Sequence, residues 1–183
     1  IYIIGPMESG PNSDIGIRKY DLSLNLIWEN FYGGSESEYG YDAVYKDGKI
    51  TIVGKTFSYS EDGLYSPYIL QIDSVNGDLI WDLVIDSNIG INSSAARIID
   101  HEEGYLVTVN NFENSSLINS QINFINDNGD NVTEYSLFDS EPFFTNGIEL
   151  IEDNLFISGS INGEPALTKI KLILMQEVYG CTD

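Results

Sequence analysis

Short apolar runs recur along the whole chain, separated by clusters of Gly, Asn, Asp and Ser. "IYIIG" ends at Gly5, "ITIVG" at Gly54, "YLVTV" at Val109 and "LFISG" at Gly159, with spacings of 49, 55 and 50 residues. A second run follows each of these: "DIGIRKYD", "PYILQID", "QINFIND" and "ALTKIKL". A third comes after that: "LIWENFY", "LIWDLVI", "VTEYSLF" and the weaker "QEVYG". The second, third and fourth groups are also preceded by a leading run, in "YDAVYKDG", "AARIIDHEEG" and "GIELIEDN". The runs are rich in Ile, Val, Leu, Tyr and Phe and have the length of strands. No long window carries a helical stripe.

Turn chemistry falls between the runs. Lys46-Asp47-Gly48-Lys49 puts glycine where a tight hairpin needs a positive φ, and Asn128-Gly129 is a hairpin signal between the second and third runs of the third group. "ITIV" and "IYII" are apolar at successive positions, so both are expected to be buried on two faces. Four short strands in a unit of about 50 residues is the pattern of a propeller blade. The expected fold is therefore all-β: a β-propeller or propeller segment of about four blades, each of four antiparallel strands. The units run over about 1–38, 39–92, 93–143 and 144–179, and 180–183 begins a linker or next module. The first unit lacks its leading strand. A segment of a larger ring and a ring closed by exchanged strands both fit, and the segment is favoured.

The 183 residues carry a net charge of −21, from 29 acidic and 8 basic side chains. Phosphate backbones need the opposite sign, so nucleic acid is not an expected partner. Anionic membrane surfaces are disfavoured on the same ground. No apolar run is long enough to span a bilayer. The start has neither an initiator Met nor the pattern of a signal peptide, which suggests a piece of a longer polypeptide.

The stretch "NLIWENFYGGSESEYGYDAVYKDGKITIVGKTFS" resembles the propeller repeats of large secreted Bacteroidetes proteins. Trp28, Tyr32, Gly33, Gly34, Gly48 and Gly54 fill the repeat's positions, and Trp81 and Gly159 recur in later units. A second resemblance lies in "IDSVNGDLIW". Its Asp73, Gly77 and Trp81 have the spacing of the tryptophan-docking repeat of quinoprotein-type propellers, a group with cofactor-free assembly scaffolds as well as dehydrogenases. The end, "VYGCTD", is similar to the opening of a Gly-Cys-Thr-Asp repeat from secreted Bacteroidetes proteins. That resemblance implies that Cys181, the single cysteine, pairs with a cysteine of another module.

The resemblance implies an extracellular or cell-surface bacterial protein. The expected function is a non-enzymatic interaction or adhesion module whose partner is a glycan or surface protein. One alternative is a polysaccharide-active hydrolase using paired carboxylates, for which Glu36, Glu38 and Asp42 are the candidates. The other is a periplasmic assembly scaffold of the quinoprotein-like type. No organic cofactor is expected. Asn126, Asn128 and Asp130 resemble the start of a calcium loop, but Leu137 stands where an EF-hand needs Glu, and the same residues suit an Asx turn. Trp28 and Trp81 are read as packing between blades, with a sugar-stacking platform as the alternative. His101, the single histidine, falls in a turn among acids and lacks the companions a zinc site needs.

Overall fold

The computed structural model describes residues 1–8, 11–60, 63–85, 90–130, 133–137 and 142–171. Every regular element among them is a β-strand. The first sheet holds β1 (Tyr2–Glu8), β2 (Ser13–Tyr20) and β3 (Leu26–Tyr32). The second holds β4 (Glu38–Lys46), β5 (Lys49–Thr56), β6 (Ser66–Asp73) and β7 (Leu79–Val84). The third holds β8 (Asn92–His101), β9 (Gly104–Glu113), β10 (Ser116–Asn126) and β11 (Thr133–Leu137). The fourth holds β12 (Phe143–Ile151), β13 (Asn154–Ile161) and β14 (Glu164–Lys171). In each sheet consecutive strands pair antiparallel with no crossover. This is an all-β fold of four successive meanders, consistent with a propeller-like arrangement. The expected last strand of the fourth unit, "QEVYG", and Cys181 lie outside the described residues.

The hairpins follow from local chemistry. Asp47 and Gly48 both have positive φ, 50° and 78°, and join β4 to β5 in a turn whose twist matches the strands. Asn114 and Ser115 (48° and 67°) do this between β9 and β10, and Asn162 and Gly163 (51° and 83°) between β13 and β14. The leading strands β4, β8 and β12 each carry a bulge at one place, between Gly40 and Asp42, Ala95 and Arg97, and Thr145 and Gly147. Gly54 and Gly159 pair with the residue before the bulge. A Cβ at either would run into a carbonyl oxygen of the bulged strand, of Tyr39 or of Phe144. β9 carries Val109 at this place, opposite Ala95, so two of the three bulges require glycine. Among the described residues β1 has no leading strand beside it, and beyond the chain neighbours of Gly5 no described atom comes within 4 Å of a Cβ placed on it.

Burial is organised by junctions between sheets. Ile15 and Ile17 of the first sheet pack on Ile50, Ile52, Leu70 and Ile72 of the second. Val53 and Ile69 of the second meet Ala95, Tyr105, Val107 and Val109 of the third. Leu106 and Ile122 of the third meet Phe143, Leu155 and Ile157 of the fourth. The second and third sheets are covered on both faces, which is why β6 is buried at seven successive positions and β9 at eight. β14 alternates between half-buried and exposed along most of its length, as a strand covered on one face should.

The expectation for "IYII" is corrected here. Tyr2 and Ile4 pack toward the second sheet. Ile1 and Ile3 are 54% and 52% exposed, because no described sheet lies on the other face of β1. "ITIV", at the same place in the second sheet, is buried throughout, with neighbours on both sides.

Candidate binding site

Of the repeat residues, Gly33 and Gly34 lie beside Glu38 and Gly54 and Gly159 face the bulges, whereas Trp28 and Trp81 meet the turn between the last two strands of a sheet. In the first three sheets this turn opens on an Asx residue whose Oδ1 accepts two backbone N–H groups. Asp21 accepts from Ser23 (2.8 Å) and Asn25 (2.9 Å). Asp73 accepts from Val75 (2.6 Å) and Asn76 (3.3 Å). Asn126 accepts from Asn128 (3.1 Å) and Asp130 (2.9 Å). Asn126, weighed above as a calcium ligand with Asn128 and Asp130, thus closes its own hairpin through Oδ1. Among the described residues, no three His, Cys, Asp or Glu side chains converge.

Each tryptophan reaches from its sheet to the Asx turn of the next. The Trp28 indole N–H donates to the Val75 carbonyl (2.9 Å), and that of Trp81 to the Asp127 carbonyl (3.2 Å). The glycines of those turns, Gly77 and Gly129, have φ of 77° and 79° and leave room for the rings. Lys46 adds a second tie at the latter turn, donating to the His101 carbonyl (2.7 Å) and Asp127 Oδ1 (2.9 Å). The His101 ring itself stands edge-on to Phe124. In the third sheet Thr133, paired with Phe124, occupies the tryptophan position.

The three acids weighed as a catalytic set have separate surroundings. Glu38 is fully buried. Its Oε1 accepts from the Thr56 hydroxyl (2.6 Å) and the Ser58 N–H (3.2 Å), and its Oε2 from the Gly34 N–H (2.9 Å). Gly33 and Gly34 are glycines because a Cβ at either would collide with the Glu38 carboxylate or with Ser58. Asp42 accepts from the N–H groups of Ala43 (2.9 Å) and, in the third sheet, Ile98 (3.2 Å). Glu36 is exposed, and its backbone N–H donates to the Ser58 hydroxyl.

A cleft between the second and third sheets gathers other chemistry. The Lys55 ammonium lies 3.8 Å from the centroid of the Tyr65 ring, 5.2 Å from that of Tyr39 and 5.9 Å from that of Tyr41. Cation–π attraction holds it there. Phe57 and Tyr39 pack at an angle against Tyr65 and fix the ring. The open cleft has a volume of about 310 Å³, and Lys55, Tyr65, Asn92, Ser93, Ser94 and Phe112 line it. Asn92 Oδ1 accepts from the Tyr65 N–H (3.0 Å), tying the two sheets across the cleft. A smaller cavity of about 130 Å³ lies on the other side of Ser93 and is lined by Asn111, Asn119 and Gln121. The Ser93 hydroxyl is buried, in a residue 3% exposed, and has no hydrogen-bond partner. Nothing in the composition signalled this cluster. The signal available was the cross-strand pairing of Tyr39 with Lys55, which becomes visible once the β4–β5 hairpin is placed in register.

Burial shifts the titration of side chains in the cleft and in the junction between the first two sheets. Desolvation, with the phenols of Tyr65 and Tyr39 nearby, pushes Tyr41 from 10.0 up to about 12. Desolvation also raises Tyr32, Tyr59, Tyr65 and Tyr68 and lowers Lys55. A raised phenol favours the protonated folded state, so its contribution is fully present below pH 10 and is lost as pH rises through the folded value. Lys55 acts in the opposite sense, but five tyrosines outweigh it. Unfolding free energy from urea titrations is expected to fall between pH 10 and about 12, in step with phenolate absorbance. A flat profile over that window would show that the tyrosines are as free in the folded chain as in the unfolded one.

The sequence matches no protein-family profile and no curated protein. The class defined by fold and cleft is thus that of an acidic, all-β repeat protein with an aromatic, amide- and hydroxyl-lined cleft between two of its sheets.

Proposed function

We propose that the four sheets are consecutive blades of a β-propeller, and that the chain is a non-enzymatic interaction module of the bacterial cell surface that binds a glycan. The observation that carries this reading is the cleft beside Tyr65. It combines what sugars are recognised by: aromatic rings for the apolar faces of a pyranose, and amides and hydroxyls for its hydroxyl groups. Its walls come from well-packed sheets, so the groups are held in place before a ligand arrives. The acidic, variable loops of the remaining surface keep the chain soluble and repel other acidic surfaces.

The test is a glycan array probed with the labelled chain, alongside a Tyr65→Ala variant of unchanged circular dichroism. Binding to a restricted group of glycans, lost in the variant, is the expected result. A blank array together with a pull-down that recovers a surface protein would replace the glycan by a protein partner. If both are blank, the chain is a spacer and the binding reading falls.

A further inference from the structure

We propose that Lys55 is the anchor for a single carboxylate carried by a sugar ring, so that the cleft selects an acidic sugar over its neutral counterpart. This rests on the glycan reading of the cleft.

The first observation is one of pairing. Acids outnumber bases 29 to 8 in this chain. Among the described residues two of these bases pair with acids, Arg18 with Glu29 and Lys46 with Asp127, Lys19 and Arg97 donate to backbone carbonyls, and Lys55 and Lys169 lie over aromatic rings. Among the described residues Lys55 has neither a carboxylate within 4 Å nor a hydrogen-bond acceptor, and it stands at the open cleft. Its three ammonium donors face rings and the cleft. Aromatic faces attract a cation but accept its hydrogen bonds weakly, so they hold the charge in position and leave its donors for a ligand.

The second observation is the hydroxyl of Ser93. Buried hydroxyls without partners are uncommon, and each calls for an explanation. Ser93 borders both the Lys55 cleft and the smaller cavity, and a ligand oxygen in the cleft would satisfy its hydroxyl once the side chain turns toward it. Tyr41, 45% exposed beside Lys55, keeps its phenol protonated and able to donate at neutral pH.

The third observation is charge. One lysine supplies one positive charge, in a molecule of net charge −21. A polyanion or a phosphate dianion would meet repulsion that a single ammonium does not offset, whereas one carboxylate is matched by it. Beyond a Debye length of about 8 Å at physiological salt, the remaining acids are largely screened from the contact. The cleft volume, near the lower end of the range for small-molecule sites, suits one ring with its substituents.

The experiment titrates the full chain, by saturation-transfer NMR and calorimetry, with methyl glycosides of glucuronic, galacturonic and N-acetylneuraminic acids. Methyl glucoside and galactoside are the neutral counterparts. An acidic member is expected to bind about tenfold or more tightly than its neutral counterpart. Lys55→Met should erase that preference and Lys55→Arg should retain most of it, with unchanged circular dichroism in both. Neutral sugars that bind as well as acidic ones, or a preference that survives Lys55→Met, overturn the inference and leave the glycan reading standing. No binding by any member, together with a blank array, overturns both.

Discussion

Replacing Glu38 with alanine is expected to cost about 3 kcal/mol of stability, seen as a lower melting temperature and urea midpoint. The carboxylate is fully buried and accepts three hydrogen bonds, from Thr56, Ser58 and Gly34. Hydrogen bonds to a charged group are worth about 1.5–3 kcal/mol each, and water reaching the exposed Gly34 restores part of the loss. Glu38→Gln should cost less, about 1–2 kcal/mol, because one oxygen still accepts while the new amide faces a donor. A change below about 0.5 kcal/mol in the alanine variant would show that the two loops hold together without the acid. It would also reopen Glu38 as a chemical group rather than a structural one.

Trp81→Ala should be of similar size, about 3 kcal/mol, toward the low end for removing a large aromatic because the ring is only partly buried. The substitution removes packing against the second junction and the indole bond to Asp127, and leaves space above Gly129. Trp81→Phe keeps a ring and loses the donor, so about 1 kcal/mol is expected. Chemical denaturation of the two variants separates the contributions. If both cost the same, the hydrogen bond rather than the ring holds the turn. In the third sheet Thr133 stands at the corresponding place, so the tryptophan tie is not repeated there.

Strands and turns were legible because their signals are local. Asp47-Gly48 and the Asx turns need only a few adjacent residues to be recognised. Asn162-Gly163 carries the same kind of signal and closes the hairpin between the "LFISG" and "ALTKIKL" runs. Exposure was less legible. "IYII" and "ITIV" read alike, and what separates them is whether a sheet lies on the outer face, which no short stretch encodes. The site was least legible. Glu38 is one acid among 29, and its partners Thr56 and Ser58 come from the far end of the neighbouring strand. Lys55 meets Tyr39 through strand register and Tyr65 through the approach to β6. Spacing in sequence carries neither relation until the hairpins are closed.

The junctions also give the molecule a direction. Each tryptophan points forward, from one sheet to the turn of the next, so a sheet has a giving face and a receiving face, as a bayonet fitting does. Units with this polarity join head to tail, so an inserted unit that carries the same tryptophan and Asx turn can remake both junctions it enters. Evolution can therefore change such a chain in steps of one unit while leaving a cleft between two sheets intact. Substitutions that tune what the cleft holds can accumulate separately from those that set the length of the array.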